Sequence, residues 1–205
     1  ITKDWPQVLL VKLGLKKNDL NLRMRNGLTL RLQNRGEHSD TVTVSEMYLM
    51  RPYTRGDFKI KDDWTIVDIG ANIGVFSTYA IKQAKNVKVF AYEPALDNYE
   101  YLIDNITHNN LSESIKPFKL AVTGKAGEDV SLYLHSLGSG GNSLYTEQVV
   151  DCYATLTVKT TTLTEIMKAN NIKQIDLLKI DCEGAEYDII LNTPHKTLTK
   201  IKRMA

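Results

Sequence analysis

From Trp64 onward, apolar runs of strand length alternate with segments whose apolar residues recur at helical spacing. This alternation is typical of β-α-β units, because parallel strands need a crossover and a helix usually supplies it. We therefore expect an α/β fold with a doubly wound, mostly parallel sheet, whose ligand lies at the carboxyl ends of the strands. Strands are predicted at 65–69, 87–92, 115–122, 130–134, 155–160 and 175–181, and helices at 73–84, 95–109, after Thr162 and at 185–191. Residues 201–205 have the pattern of a further strand's beginning, so we expect the C-terminal strands to be truncated.

The first 60 residues differ in pattern and are predicted to form an extension packed on the core of residues 61–205. Residues 4–15 favour a short amphipathic helix, and residues 40–51 a second helix. Between them, two runs of alternating leucines flank Asn26-Gly27, which predicts a β-hairpin with a type I′ turn.

A glycine-containing turn, Asp-Ile-Gly-Ala-Asn-Ile-Gly at residues 68–74, follows the first buried strand. Gly70 and Gly74 lie where a backbone approaches a ligand closely, and Glu93 follows at a distance suited to a ribose-binding acid. A dinucleotide is one candidate ligand, but the spacing is G-x-x-x-G and not G-x-G-x-x-G. Asp68 would repel a pyrophosphate and attract the sulfonium and ammonium groups of S-adenosylmethionine, which favours that ligand.

Glu93 is expected to accept hydrogen bonds from both ribose hydroxyls, because a carboxylate has two acceptor oxygens. The alternative is that the glycines only form a tight turn and that Glu93 is a solvated charge at a helix start. The predicted donor-site residues are Asp68, Gly70, Ala71, Asn72, Gly74, Glu93, Pro94, Val122 and Ser143.

Three segments, 67–74, 92–94 and 176–186, together closely resemble the FkbM-type family of methyltransferases. The last, Asp-Leu-Leu-Lys-Ile-Asp-Cys-Glu-Gly-Ala-Glu, is the most specific of them. The resemblance implies a class I, Rossmann-like methyltransferase fold and methyl transfer from S-adenosylmethionine, often to oxygen on sugars, glycolipids or polyketide products. It also implies donor-site roles for Asp68, Gly70, Asn72, Gly74 and Glu93.

Candidate catalytic residues follow the strand at 175–181. Asp181 is the first candidate for a general base or acceptor-orienting group, and Glu183 is the second. Glu183 and Glu186 have an alternative role in favourable contact with a helix N-terminus. Asp181 with Glu183 could bind a divalent cation, but no third ligand is evident, so no metal is expected.

Two segments outside these motifs could also reach the ligand. Ser143 belongs to a Gly/Ser loop at 138–143, which is either a lid or only a hairpin connection. Glu46 and Tyr53 precede the core and could cover the donor, although packing roles are favoured for both.

Composition narrows the function classes. A net charge of +2 argues against a nucleic-acid partner, and the apolar run at 8–15 is too short to span a membrane. Cys152 and Cys182 fit reduced thiols in a cytoplasmic protein.

The favoured function is S-adenosylmethionine-dependent O-methylation of a hydroxyl on a sugar, glycolipid or small metabolite. The alternatives are an NAD-dependent oxidoreductase on the same type of sheet and a non-catalytic S-adenosylmethionine-binding module.

Overall fold

The computed structural model describes residues 2–13, 15, 18–33, 40–50, 52–53, 58–127, 129–135, 142–145, 152–182 and 184–205. Glu183 and residues 138–141 of the Gly/Ser loop lie outside this described part. The described strands are β1 Leu20–Arg23, β2 Thr29–Leu32, β3 Thr65–Ile69, β4 Lys88–Tyr92, β5 Ile115–Phe118, β6 Ala121–Val122, β7 Asp129–His135, β8 Cys152–Thr161 and β9 Leu177–Ile180. The described helices are α1 Trp5–Lys12, α2 Thr41–Ser45 with a π-helical turn Glu46–Met50, α3 Val75–Ile81, α4 Leu96–His108, α5 Leu163–Ala169, α6 Glu186–Asn192 and α7 His195–Leu198.

The central sheet is parallel, with the strand order β5-β4-β3-β9. In its register, Val67 of β3 lies between Phe90 of β4 and Leu178 of β9. The end of the chain continues this order, since Ile201 and Met204 form parallel bridges to residues of the β9 segment. The order reverses between β3 and β9, and in doubly wound sheets that reversal marks the ligand crevice. The predicted Rossmann-like α/β fold is confirmed.

Helices cover both faces of the sheet because successive strand residues point to opposite sides. Ile66 of β3 packs in one apolar core with Leu102 and Ile106 of α4. Its neighbour Val67 packs in a second core with Ile166 of α5 and Ile189 of α6. The first core also contains the leucines of the hairpin, so residues 20–32 share their apolar interior with the sheet.

The hairpin forms as expected, but its turn is not of type I′. That turn requires positive φ at both central residues, and here Gly27 has φ 89° whereas Asn26 does not have a positive φ. The Gly27 N–H donates to the Met24 carbonyl at 3.2 Å, and the Met24 N–H donates to the Leu28 carbonyl at 2.7 Å. The loop is therefore a type I turn followed by a bulge at Gly27. The Asn26 side chain favours it by accepting from the Leu28 N–H at 3.2 Å.

Two asparagines, Asn105 in α4 and Asn109 at its C-cap, join the hairpin to the core by hydrogen bonding to the backbone of β2. Asn105 accepts from the Arg31 N–H at 2.7 Å and donates to the Arg31 carbonyl at 3.1 Å. Asn109, one helical turn later, makes the same pair of bonds with Thr29 at 2.8 and 2.7 Å. The helix thus satisfies backbone groups of an edge strand that would otherwise need another strand or water.

Replacing Asn105 by Ala is expected to lower the free energy of unfolding by about 2–3 kcal/mol, because backbone groups of Arg31 and the Ile73 carbonyl lose their partner. Urea denaturation measures this change. Thr107→Ala, an exposed change on the same helix, is the matched control and should alter stability by less than about 0.5 kcal/mol. A loss for Asn105→Ala as small as the control's would contradict the docking role.

The expected strand at 115–122 is divided in two. Pro117 lies in β5, the edge strand of the central sheet, where a missing N–H is tolerated. After Phe118 the chain leaves this sheet, and Ala121 and Val122 pair in parallel with the end of β8. Strands β6, β8 and β7 form a second, smaller sheet in that order. This departure brings Val122 to the ligand crevice.

Residues 162–165, Thr-Leu-Thr-Glu, have the pattern of a capping box, but the structure forms only half of it. Thr162 accepts from the Glu165 N–H at 3.3 Å, whereas the Glu165 carboxylate accepts from the Thr161 hydroxyl at 3.2 Å and does not reach back to Thr162. Helix α1 forms within the predicted 4–15 range but is not amphipathic. Val11 is buried, whereas Trp5 and Leu9 are exposed.

Candidate active site

A cavity of about 280 Å³ lies at the carboxyl ends of the parallel strands, at the point where the strand order reverses. The glycine turn, the ends of β4 and β9, and the second sheet all contribute to its wall. So does the segment before the core. The lining residues are Thr43, Glu46, Met47, Pro52, Tyr53, Ile69, Gly70, Ala71, Asn72, Val75, Phe76, Tyr92, Glu93, Pro94, Leu120, Ala121, Val122, Leu132, Asn142, Leu144, Lys179, Asp181, Cys182 and Ala185.

Gly70 and Gly74 have different roles in the turn. Gly70 lines the cavity with φ 73°, and a Cβ there would collide with the carbonyl oxygen of Asp181. Glycine at this position therefore lets the end of β9 pass beside the turn. Gly74 does not line the cavity. Its φ is 83°, and a Cβ would lie 2.5 Å from Leu102 Cδ1, so it permits close packing of the turn against α4.

Asp68 lies behind the cavity wall and does not line it. Its carboxylate is fully buried, accepts from the Ser77 hydroxyl at 2.6 Å and forms an ion pair with Lys179 Nζ at 3.0 Å. The expectation that Asp68 faces a cationic ligand therefore needs correction. Its charge is matched by a lysine of the same protein, because burying an unpaired carboxylate would be very costly.

Lys179 is a residue of the site that sequence reasoning missed. Its side chain is nearly buried, lines the cavity and donates to the Gly70 carbonyl at 2.7 Å. Its Nζ also lies 3.9 Å from Asp181 Oδ2, so one ammonium stands between two carboxylates. The sequence did contain a signal for this role, because Lys179 lies within the otherwise apolar strand β9. A lysine that is buried there requires a charged partner.

Glu93 lies at the cavity wall and is almost completely buried. Oε2 accepts from the Asn72 N–H at 2.8 Å, while Oε1 accepts from the Ala95 N–H at 3.0 Å and the Asn98 amide at 3.4 Å. Burial raises the pKa of Glu93 to about 7, and these hydrogen bonds oppose the rise. A carboxylate has about four acceptor positions, so Oε2 keeps capacity for another donor.

Asp181 is half-exposed at the cavity and accepts a hydrogen bond from the Tyr53 hydroxyl. The Tyr53 ring packs edge-on against Phe76, with ring centroids 5.3 Å apart. Burial, followed by the bond to Asp181, raises the pKa of Tyr53 above its ordinary value, so its phenol stays protonated. Tyr53 and Glu46, for which packing roles were favoured, both line the cavity.

The π-helical turn explains how Glu46 reaches the cavity. It continues α2 directly, and such wide turns are rare and often occur at functional sites. Met47 from the same turn is buried in the first apolar core and also lines the cavity. The turn thus fixes one wall to the core while presenting a carboxylate at the rim.

The remaining predicted residues divide into two groups. Pro94 and Val122 line the cavity. Ser143 does not, although Asn142 and Leu144 beside it do; Ser143 is buried, and its hydroxyl accepts from the Tyr145 N–H at 3.1 Å.

The loop after β9 is held by Glu186. Its carboxylate accepts from the Cys182 N–H at 3.1 Å and the Gly184 N–H at 2.8 Å, which agrees with the structural alternative for this residue. The Cys182 thiol lines the cavity, and burial raises its pKa above the ordinary range. Glu183, the second catalytic candidate, lies outside the described residues.

In the part of the chain that the structure describes, no group of three or more His, Cys, Asp or Glu residues could hold a metal ion. Among the described helices, none is long and apolar enough to cross a lipid bilayer.

The strand order and the crevice define an α/β protein with a cavity at its switch point, built from a glycine turn and carboxylates at strand ends. The family described as the Methyltransferase FkbM domain matches residues 68–204, about two thirds of the chain and nearly all of its core. The chain belongs to the FkbM methyltransferase family.

Three curated relatives show the range of similarity. The chain is 28% identical over 151 residues to methyltransferase sdnD of Sordaria araneosa, covering 61% of this chain and 58% of that protein. It is 24% identical over 209 residues to the 31-O-demethyl-FK506 methyltransferase FkbM of Streptomyces tacrolimicus, covering 89% and 79%. It is 24% identical over 130 residues to the hexuronic acid methyltransferase AglP of Haloferax volcanii, covering 63% and 50%. The chain therefore spans about half the length of two of these relatives, 58% of sdnD and 50% of AglP.

Proposed function

We propose that this protein transfers a methyl group from S-adenosylmethionine to a hydroxyl of a sugar, glycolipid or small metabolite. The observation that carries the proposal is one cavity that contains both Glu93, suited to ribose hydroxyls, and Asp181, suited to a hydroxyl acceptor. Membership of the FkbM family supports methyl transfer. The names of the FkbM and AglP relatives point to oxygen-rich acceptors.

The chain's residues fit the donor. Gly70 and Ala71 present backbone without bulk, and Glu93 Oε2 has acceptor capacity at the cavity wall. Pro94 and Val122 supply apolar wall beside Glu93, where an adenosine would be bound. When bound, S-adenosylmethionine supplies an electrophilic methyl group. The protein then has to hold the donor and align the acceptor.

Asp181 is the residue proposed to orient the acceptor hydroxyl and receive its proton. The Tyr53 hydroxyl holds this carboxylate at the cavity. Lys179 pairs with Asp68 and donates to the Gly70 carbonyl, so its Nζ is already engaged by partners within the protein. Among the described residues at the cavity, Asp181 thus combines partial exposure with a fixed position.

The pKa of Glu93 makes donor binding dependent on pH. Ribose hydroxyls donate to the charged carboxylate, and Glu93 carries a proton below its pKa of about 7. We expect the affinity for S-adenosylhomocysteine to rise roughly tenfold between pH 6 and pH 8, with a proton released on binding. Calorimetry in buffers of different ionisation enthalpy measures both effects.

Glu93→Gln is the control for this dependence. It keeps the side-chain shape but cannot titrate, so we expect affinity about tenfold weaker than wild type at pH 8 and constant with pH. Wild-type affinity that does not change with pH, or the same pH dependence in Glu93→Gln, would remove Glu93 from the donor site.

Methyl transfer itself is tested with S-adenosylmethionine carrying a labelled methyl group and a panel of sugars, glycolipids and hydroxylated metabolites, using the full-length chain. Transfer to a hydroxyl that requires Asp181 is the expected result. Label appearing only on nitrogen would overturn O-methylation, and failure to bind donor or product would overturn the whole proposal.

A further inference from the structure

Among the residues that the structure describes, the charges around the cavity do not cancel. Lys179 lies between Asp68 at 3.0 Å and Asp181 at 3.9 Å, so these three residues together carry a net charge of −1. The shorter contact is to Asp68, which is fully buried, whereas the Asp181 carboxylate is half-exposed to the cavity. The unbalanced negative charge therefore lies at Asp181, on the ligand side.

The other ionisable groups that line the cavity in the described residues do not supply a compensating cation. Glu46 adds a carboxylate at the rim, and Glu93 adds a second, partly protonated one near neutral pH. Tyr53 and Cys182 are both neutral, because burial raises the pKa of each group. A positive ligand is favoured by this arrangement, and a neutral ligand gains nothing from it.

We infer that Asp181 makes the cavity selective for the charge of the methyl donor, so that the sulfonium of S-adenosylmethionine is bound more tightly than the neutral thioether product. This inference rests on the proposed function. The electrostatic role that the sequence suggested for Asp68 then belongs to Asp181, because Asp68 is neutralised by Lys179. Because methyl transfer removes the sulfonium charge, the product is bound with lower affinity than the donor, which assists its release.

Direct binding measurements test this without an acceptor. Isothermal titration of the wild-type protein should give an affinity for S-adenosylmethionine about tenfold higher than for S-adenosylhomocysteine, with the ratio shrinking as salt is added. Asp181→Asn keeps the side-chain shape and should lower affinity for S-adenosylmethionine about tenfold while changing affinity for the product less than twofold.

Two further variants keep the result interpretable. Glu46→Gln should reduce the preference for the donor by two- to threefold, because Glu46 is exposed at the rim and more strongly screened. Glu113→Gln makes the same charge change before β5, at the opposite edge of the sheet, and should leave both affinities unchanged.

Product binding as tight as donor binding in the wild type, or equal weakening of both ligands by Asp181→Asn, would overturn the inference while leaving the proposed methyl transfer intact. Binding of neither ligand would overturn both.

Discussion

Replacing Lys179 by Met is expected to lower the free energy of unfolding by about 3–5 kcal/mol, the largest effect on stability among the changes considered. The substitution leaves the fully buried Asp68 carboxylate with only the Ser77 hydroxyl as a partner. It also removes the bond from Nζ to the Gly70 carbonyl that holds the glycine turn. Chemical denaturation followed by circular dichroism measures the loss.

The paired variant Asp68→Asn/Lys179→Met separates charge from packing. Because the double variant has no unpaired carboxylate at position 68, it should recover a large part of the lost stability. Lys196→Met, on an exposed position of α7, is the matched lysine control and should change stability by less than about 0.5 kcal/mol. A loss below about 1 kcal/mol for Lys179→Met would mean that the ion pair does not support the turn.

Asp181→Asn is expected to reduce methyl transfer at saturating donor by about 100-fold or more, because an amide cannot take the acceptor's proton. The Tyr53 hydroxyl can still donate to the amide oxygen, so the cavity wall should keep its shape. Rates at saturating S-adenosylmethionine separate this loss from any change in donor affinity.

A matched control makes the Asp181 result specific. Glu113→Gln should turn over at the wild-type rate, since Glu113 precedes β5 at the far edge of the sheet. Unchanged turnover in Asp181→Asn, with an unaltered thermal transition, would remove Asp181 from the catalytic step.

The core of the fold could be predicted from sequence because buried parallel strands have short, nearly continuous apolar sequences. Strand β3 begins and ends at the predicted residues, and β4 and β9 lie inside their predicted ranges.

The hairpin turn could not be predicted in detail. Asn-Gly suits both a type I′ turn and a type I turn with a bulge, and the choice depends on how one extra residue is accommodated.

The candidate site was predictable where its residues follow a strand. Glu93 and Asp181 come directly after β4 and β9, and the parallel sheet brings these ends together. The role of Asp68 was not predictable in this way, because its partner Lys179 is more than a hundred residues away in the chain. The position of Glu46 depends on a π-helical turn, and that of Tyr53 depends on packing against Phe76. No periodic pattern of residues in the sequence predicts either feature.

Calorimetric titration of the full-length chain with S-adenosylhomocysteine and with NAD shows directly whether the cavity binds S-adenosylmethionine and its product. We propose Glu93 as the acceptor for ribose hydroxyls, and the negative charge at Asp181 disfavours a pyrophosphate. We expect saturable binding of S-adenosylhomocysteine, weakened by Glu93→Gln, and no measurable binding of NAD. Binding of NAD with no binding of S-adenosylhomocysteine would rule out S-adenosylmethionine as the ligand of this cavity.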